Sequence, residues 1–166
     1  MRELVRERVS NERGMTLAEI LVAIGIIGVG LAALASAIPI SAYGIQEGSQ
    51  LSTATFLANQ RLEQVRNAQW STSPAVDNLG VSASSTAAPQ SGGTTTFPDE
   101  AAVASPYAQF ARTVRIADCS TGGGCQSVVS ANLRQVTVTV SYRPLTGVGQ
   151  AAAVKPVAVT MLIAKR

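Results

Sequence analysis

From Ile20 to Gln46 the chain carries no charged residue. Roughly 20 apolar residues suffice to carry a helix across a bilayer, so this stretch predicts one membrane-spanning helix. Gly25, Gly28 and Gly30 lower its helix propensity. Pro39 lacks an N–H and clashes with the preceding turn, which predicts a kink or local melting there. After Glu47 the pattern becomes periodic: Leu51, Ala54, Ala58, Leu62 and Val65 recur at spacings of three and four, with Gln50, Asn59, Gln60, Glu63 and Arg66 on the rest of the wheel. That is an amphipathic helix, and it is expected to end near Ser71-Thr72-Ser73-Pro74, because proline disfavours helix at the residue before it. Residues 15–46 and 47–70 therefore read as two halves of one long helix, the first apolar all round and the second striped.

Residues 71–108 hold no lysine or arginine and are dominated by Ser, Thr, Ala, Gly and Pro. So long a connection predicts a functional loop, a flexible segment or short elements below the reach of periodicity, and it is taken as a variable loop. The segment 109–166 turns to strands. Val136, Val138, Val140 and Tyr142 alternate with Thr137, Thr139 and Ser141 in a period of two, which predicts one buried and one wet face. The runs Phe110 to Ile116 and Val157 to Ile163 are also rich in β-branched residues, and Arg143-Pro144-Leu145-Thr146-Gly147 supplies a break before the last. The stripe from Leu51 to Val65 is the available cover for such a sheet, so the expected class is α+β, a long N-terminal helix packed on a small antiparallel sheet.

At 166 residues the chain has room for one domain and an anchor. A 46% hydrophobic share with 4% aromatic residues implies a core of aliphatic side chains. The chain has no histidine, which removes His-based triads and His-ligated zinc; no cofactor, no metal and no catalytic residue is expected. The net charge is only +3, and Arg2, Arg6, Arg8 and Arg13 crowd the first residues, so no basic surface for nucleic acid is expected. The arginine-rich leader stays on the cytoplasmic side, which sends everything after about residue 46 outward.

The junction Gly14-Met15-Thr16-Leu17-Ala18-Glu19 joins this charged leader (residues 1–14) to the apolar helix. Here the sequence resembles the type IV prepilins and pseudopilins. The segments TATFLANQRLEQVRNAQW, LRQVTVTVSYRP and VAVTMLIAKR are similar to minor pilins and minor pseudopilins of the I and V type. The resemblance implies a pilin-like fold and a structural subunit rather than an enzyme. It implies cleavage by the prepilin peptidase between Gly14 and Met15, and N-methylation of Met15 by the same enzyme. The expected partners are that peptidase/methyltransferase, other pilin or pseudopilin subunits and an inner-membrane assembly platform. The protein would wait as a single-pass inner-membrane protein before entering a type IV pilus, competence pseudopilus or type II secretion pseudopilus. Glu19 becomes the fifth residue of the mature chain, where the family keeps a glutamate as an assembly contact.

The chemistry of Glu19 can be argued without the family. An ionised carboxylate at the bilayer centre costs about 2.5–3.5 kcal/mol on insertion scales. If Met15 becomes a free, cationic terminus, as the resemblance implies, the amine of a neighbouring subunit about 4 Å away would return roughly 4 kcal/mol at an effective dielectric of 20. The alternative is a Glu19 hydrated at the cytoplasmic interface.

Cys119 and Cys125 enclose a short loop with Gly122-Gly123-Gly124, which is expected to bend, and an exported domain favours a disulfide there over two free thiols. Asp99, Glu100 and Asp118 match no calcium-loop spacing and read as solvated loop charges. Trp70 and Tyr107 read as the edge of a core. Two rival readings exist: Ala35-Ser36-Ala37 offers a signal-peptidase site, which would leave a secreted soluble protein starting at Ile38, or neither site is cut and the chain is a permanent single-pass binding protein.

Overall fold

The computed structural model describes residues 14–121, 125, 127–144 and 153–166; most of the charged leader, Gly122-Gly123-Gly124 and residues 145–152 lie outside the described residues. Helix α1 runs Leu17–Asn67. It is followed by β1 (Trp70–Thr72), β2 (Ala75–Asp77), β3 (Val81–Ser82), β4 (Pro89–Ser91), β5 (Thr94–Thr95), β6 (Phe110–Asp118), β7 (Leu133–Tyr142) and β8 (Lys155–Ala164). The arrangement is α+β, a long N-terminal helix with small antiparallel sheets, as the hydrophobic pattern predicts. The chain divides into two compact units, Met1–Ala42 and Tyr43–Arg166.

In the first unit the helix has no core to enter. Ile20, Leu21, Val22, Ile24, Ile26, Ile27, Val29, Leu31 and Leu34 are all exposed. The local melting expected at Pro39 does not appear, since the helix continues through that position. A proline forfeits one intrahelical bond and its ring strains one turn, and a helix with well-formed turns on both sides accommodates this.

In the second unit the helix supplies Ala54, Leu57, Ala58, Leu62 and Val65 to a core shared with Phe110, Val114 and Ile116 of β6 and Val136, Val138, Val140 and Tyr142 of β7. The covering stripe differs from the expected one at a single position. Leu51 is 49% exposed, and Leu57 takes its place at 1%. The sheet order is β6-β7-β8. Val138 sits opposite Val114 and Val159, and Val140 opposite Arg112 and Val157, so inward-facing positions line up across the three strands. The core ends in an aromatic group in which Phe110 lies 5.8 Å from Tyr142 and 6.5 Å from Tyr107, centroid to centroid.

The expected loop, 71–108, together with Trp70 before it, carries five short strands in a two-stranded and a three-stranded sheet. They are two or three residues each, too short for a period-two pattern to register, and local devices hold them. Gly92 and Gly93 both have positive φ and form the two-residue turn between β4 and β5. Asp77 Oδ1 accepts from the N–H groups of Leu79 (3.1 Å) and Gly80 (2.9 Å), closing the turn after β2. Gly80 is obligatory there: its φ is +72°, and a Cβ would lie 2.7 Å from the Gln90 backbone.

Candidate functional site

The junction residues sit at the start of α1. Gly14 and Met15 precede the helix and are exposed, and no atom crowds the position a Cβ on Gly14 would take. Thr16 caps the helix. Its Oγ1 accepts from the Glu19 N–H at 3.3 Å, and its carbonyl accepts from the N–H groups of Glu19 (3.0 Å) and Ile20 (3.2 Å). Thr16-Leu17-Ala18-Glu19 thus has the spacing of a capping box, with the threonine half formed. Thr16 is not among the expected site residues, although its Thr-x-x-Glu spacing marks it. Glu19 occupies the first turn, where a carboxylate interacts favourably with the positive end of the helix dipole. Cleavage before Met15 would leave a new amino terminus one residue ahead of the cap and four ahead of Glu19.

Beyond this junction α1 is long and apolar enough to cross a membrane, and none of the apolar window is buried within the protein. Such a surface needs a lipid or protein environment other than this chain's own core.

Among the described residues no cluster of three or more His, Cys, Asp or Glu is placed to hold a metal ion. The expectation of solvated loop charges holds for Asp99, which is exposed in a loop although ion-paired, and fails for Glu100 and Asp118, which are half-buried, Asp118 at the end of β6. Asp99 takes both guanidinium nitrogens of Arg115, at 2.6 and 2.8 Å, an arrangement that holds its carboxyl below the ordinary range. Glu100 is shared: Arg112 donates to Oε2 from Nε (3.0 Å) and Nη2 (2.7 Å), and Arg61 reaches Oε1 at 3.4 Å. These partners are 16 and 12 residues away in sequence for Arg115 and Arg112, a separation that no local pattern reports. Only Asp118 is local, accepting from the Ser120 N–H at 2.7 Å.

Cys119 and Cys125 are disulfide-bonded, with both cysteines buried. The bridge sits where β6 ends: the Cys119 N–H donates to the Leu133 carbonyl (3.2 Å) and its carbonyl accepts from Ser130 (3.0 Å), so it closes the β6–β7 connection. Trp70 is buried beneath Arg134, whose guanidinium carbon lies 4.3 Å from the ring centroid while its nitrogens bind Asp77 at 2.7 and 2.8 Å.

Residues 9–35 match the family model described as the Prokaryotic N-terminal methylation motif. No curated protein and no solved structure matches the chain. The matched segment spans the last leader residues, the Gly14-Met15 junction, the Thr16 cap, Glu19 and the first apolar turns of α1. The chain therefore carries the N-terminal methylation motif of type IV prepilin-like proteins.

Proposed function

We propose that this chain is a type IV pilin-like or pseudopilin subunit, a structural rather than catalytic protein, of the minor I or V type that its sequence resembles. A prepilin peptidase cuts between Gly14 and Met15 and methylates Met15. Glu19 then pairs with the amino terminus of a neighbouring subunit, the apolar part of α1 moves from the inner membrane into the centre of a fibre, and the sheet domain forms its outer surface. The observation that carries this reading is the match at residues 9–35 on a helix whose apolar window is wholly exposed. One helix meets both environments because Ala and Gly are interspersed among its Ile, Val and Leu residues, allowing close approach of a second helix as readily as contact with lipid.

The deciding experiment is intact-mass and N-terminal peptide mass spectrometry of the protein from its native envelope, with and without the prepilin peptidase. The expected chain starts at methylated Met15 only when the peptidase is present. A start at Ile38, or an uncut Met1 in both strains, overturns the reading.

A further inference from the structure

In the sheet domain Arg61 of α1 and Arg112 of β6 share one carboxylate, that of Glu100. Both guanidinium groups are withdrawn from water, their side chains 13% and 7% exposed. The acids beside them in sequence are paired elsewhere, Glu63 with Arg66 at 2.9 Å and Asp99 with Arg115 at 2.6 Å. Two guanidinium charges against one carboxylate leave one positive charge unmatched. Burial holds the Arg61 guanidinium below its ordinary pKa; Glu100 opposes this and Arg112 adds to it, and the Arg61 Nε is buried without a hydrogen-bond partner. A further negative charge beside the cluster is therefore favourable.

The cluster borders a cleft of about 540 Å³ between α1 and the segment 102–107. Arg112, Leu57 and Val103, all buried, are its floor, and Ala102, Ala104 and Tyr107 line the side away from the helix. Gln60 and Gln64, one turn apart on α1, line the helix side. An arginine carries only donors, so it fixes which end of a side-chain amide it meets. Arg112 Nη1 donates to Gln60 Oε1 (3.4 Å), and Arg61 Nη1 donates to Gln64 Oε1 (2.8 Å). Each glutamine thus turns its oxygen to a guanidinium and keeps its NH2 group as a donor, and among the described residues neither NH2 group has a partner. Glu100 borders the same cleft, but both of its oxygens are held by the two arginines.

We propose that this cleft binds an organic carboxylate, with its oxygens on the NH2 groups of Gln60 and Gln64 and its carbon portion against Ala102, Ala104 and Tyr107. A monoanion matches the single unmatched charge, and a planar carboxylate offers two acceptors to two donors set one helical turn apart. Two sources share this chemistry, a free small acid and the Asp or Glu side chain of a neighbouring protein. The cleft lies wholly within Tyr43–Arg166, so its occupancy does not depend on cleavage at Gly14.

The test uses the full chain in detergent micelles at neutral pH and constant ionic strength, with the glutamine side-chain NH2 signals followed by NMR. Sodium butyrate is the free-acid probe and a capped Ala-Glu-Ala peptide the side-chain probe; butyramide, a capped Ala-Gln-Ala peptide and inorganic phosphate are the controls. At least one carboxylate probe is expected to shift the Gln60 and Gln64 signals saturably, about tenfold or more tighter than its neutral counterpart. Gln60→Glu and Gln64→Glu, at exposed positions, each replace a donor by a carboxylate that cancels the unmatched charge. Each is expected to weaken binding by about tenfold or more while circular dichroism and thermal midpoint are kept. Butyrate binding at least as tightly as the peptide identifies a free acid as the source, and tighter binding of the peptide identifies a protein side chain. The proposal is overturned if neither carboxylate probe saturates, if the neutral counterparts or phosphate bind as tightly, or if the glutamate variants bind as the wild type does.

Discussion

Arg112 shows how one residue ties two elements together. It is buried on β6, donates twice to Glu100, and donates from Nη1 to the Leu57 carbonyl in α1 (3.2 Å). The helix carbonyl and the carboxylate are both satisfied by a planar fork that lysine cannot copy. Arg112→Met is expected to destabilise the sheet domain by about 2–3 kcal/mol. This is somewhat below the range for stripping one partner from a fully buried pair, because Glu100 keeps Arg61 and some water. Urea unfolding followed by the single buried tryptophan, Trp70, measures it. A second residue-scale expectation concerns acid. The bidentate bond from Arg134, backed by the Gly80 and Leu79 amides, holds the Asp77 carboxyl below its ordinary 3.8, against a smaller opposing effect of burial. Unfolded, Asp77 binds its proton at higher pH than folded, so its contribution is complete above about pH 4 to 5 and is lost as pH falls below that. Arg115 makes Asp99 behave in the same direction. A urea series from pH 6 to 2.5 should show stability falling at the acid end, and Asp77→Asn should flatten that slope while lowering the plateau.

At the scale of elements, the core face of α1 is set by which residues reach the sheet. Leu57 and Leu51 are the same residue type six positions apart, yet one is sealed and the other half open. Leu57→Ala is expected to cost about 2–4 kcal/mol in the same urea measurement and Leu51→Ala under about 0.5. The contrast explains what was legible beforehand. A wheel shows that Ala54, Ala58, Leu62 and Val65 share a face, but it does not show where the sheet stops, so Leu51 is assigned wrongly and Leu57 is missed. Strand β7 was readable because the seven residues Val136 to Tyr142 alternate strictly, and the predicted Val136, Val138, Val140 and Tyr142 are all buried; Arg134, buried with them, lies outside the apolar pattern. The Thr16 cap and the Gly92-Gly93 turn carried short signals that a search for long periods overlooks. The arginine partners of Asp99 and Glu100 carried none, since ion pairs between distant segments exist only after the strands are in register. Gly80 falls between these cases. Glycine in a turn is common, but the 2.7 Å approach of Gln90 is a tertiary fact. Gly80→Ala is expected to destabilise by more than the roughly 1 kcal/mol of an ordinary glycine site, because strain at positive φ and the clash add.

At the scale of the whole molecule, apolar residues are divided between two uses. Those of the sheet domain are buried against one another, and those of the first half of α1 are exposed, which fits a helix that meets a membrane or other subunits. Glu19 is the one acid at the head of that apolar helix, and its place in the capping box can be separated by a suitable variant from the proposed charge for a neighbour. Glutamine suits the third helical position of a capping box as glutamate does, so Glu19→Gln keeps the cap and removes the charge. If the charge pairs with a neighbour's amino terminus, Glu19→Gln should still be inserted in the membrane, cut after Gly14 and folded, but should be depleted from sheared fibres. A pair worth roughly 4 kcal/mol at 4 Å is about a thousandfold in an equilibrium constant, so even a partly hydrated contact leaves a drop of at least tenfold. Quantifying Glu19→Gln and wild type by mass spectrometry in membrane and fibre fractions gives the ratio directly. An unchanged ratio would leave Glu19 hydrated at the cytoplasmic interface, with the apolar surface alone holding subunits together.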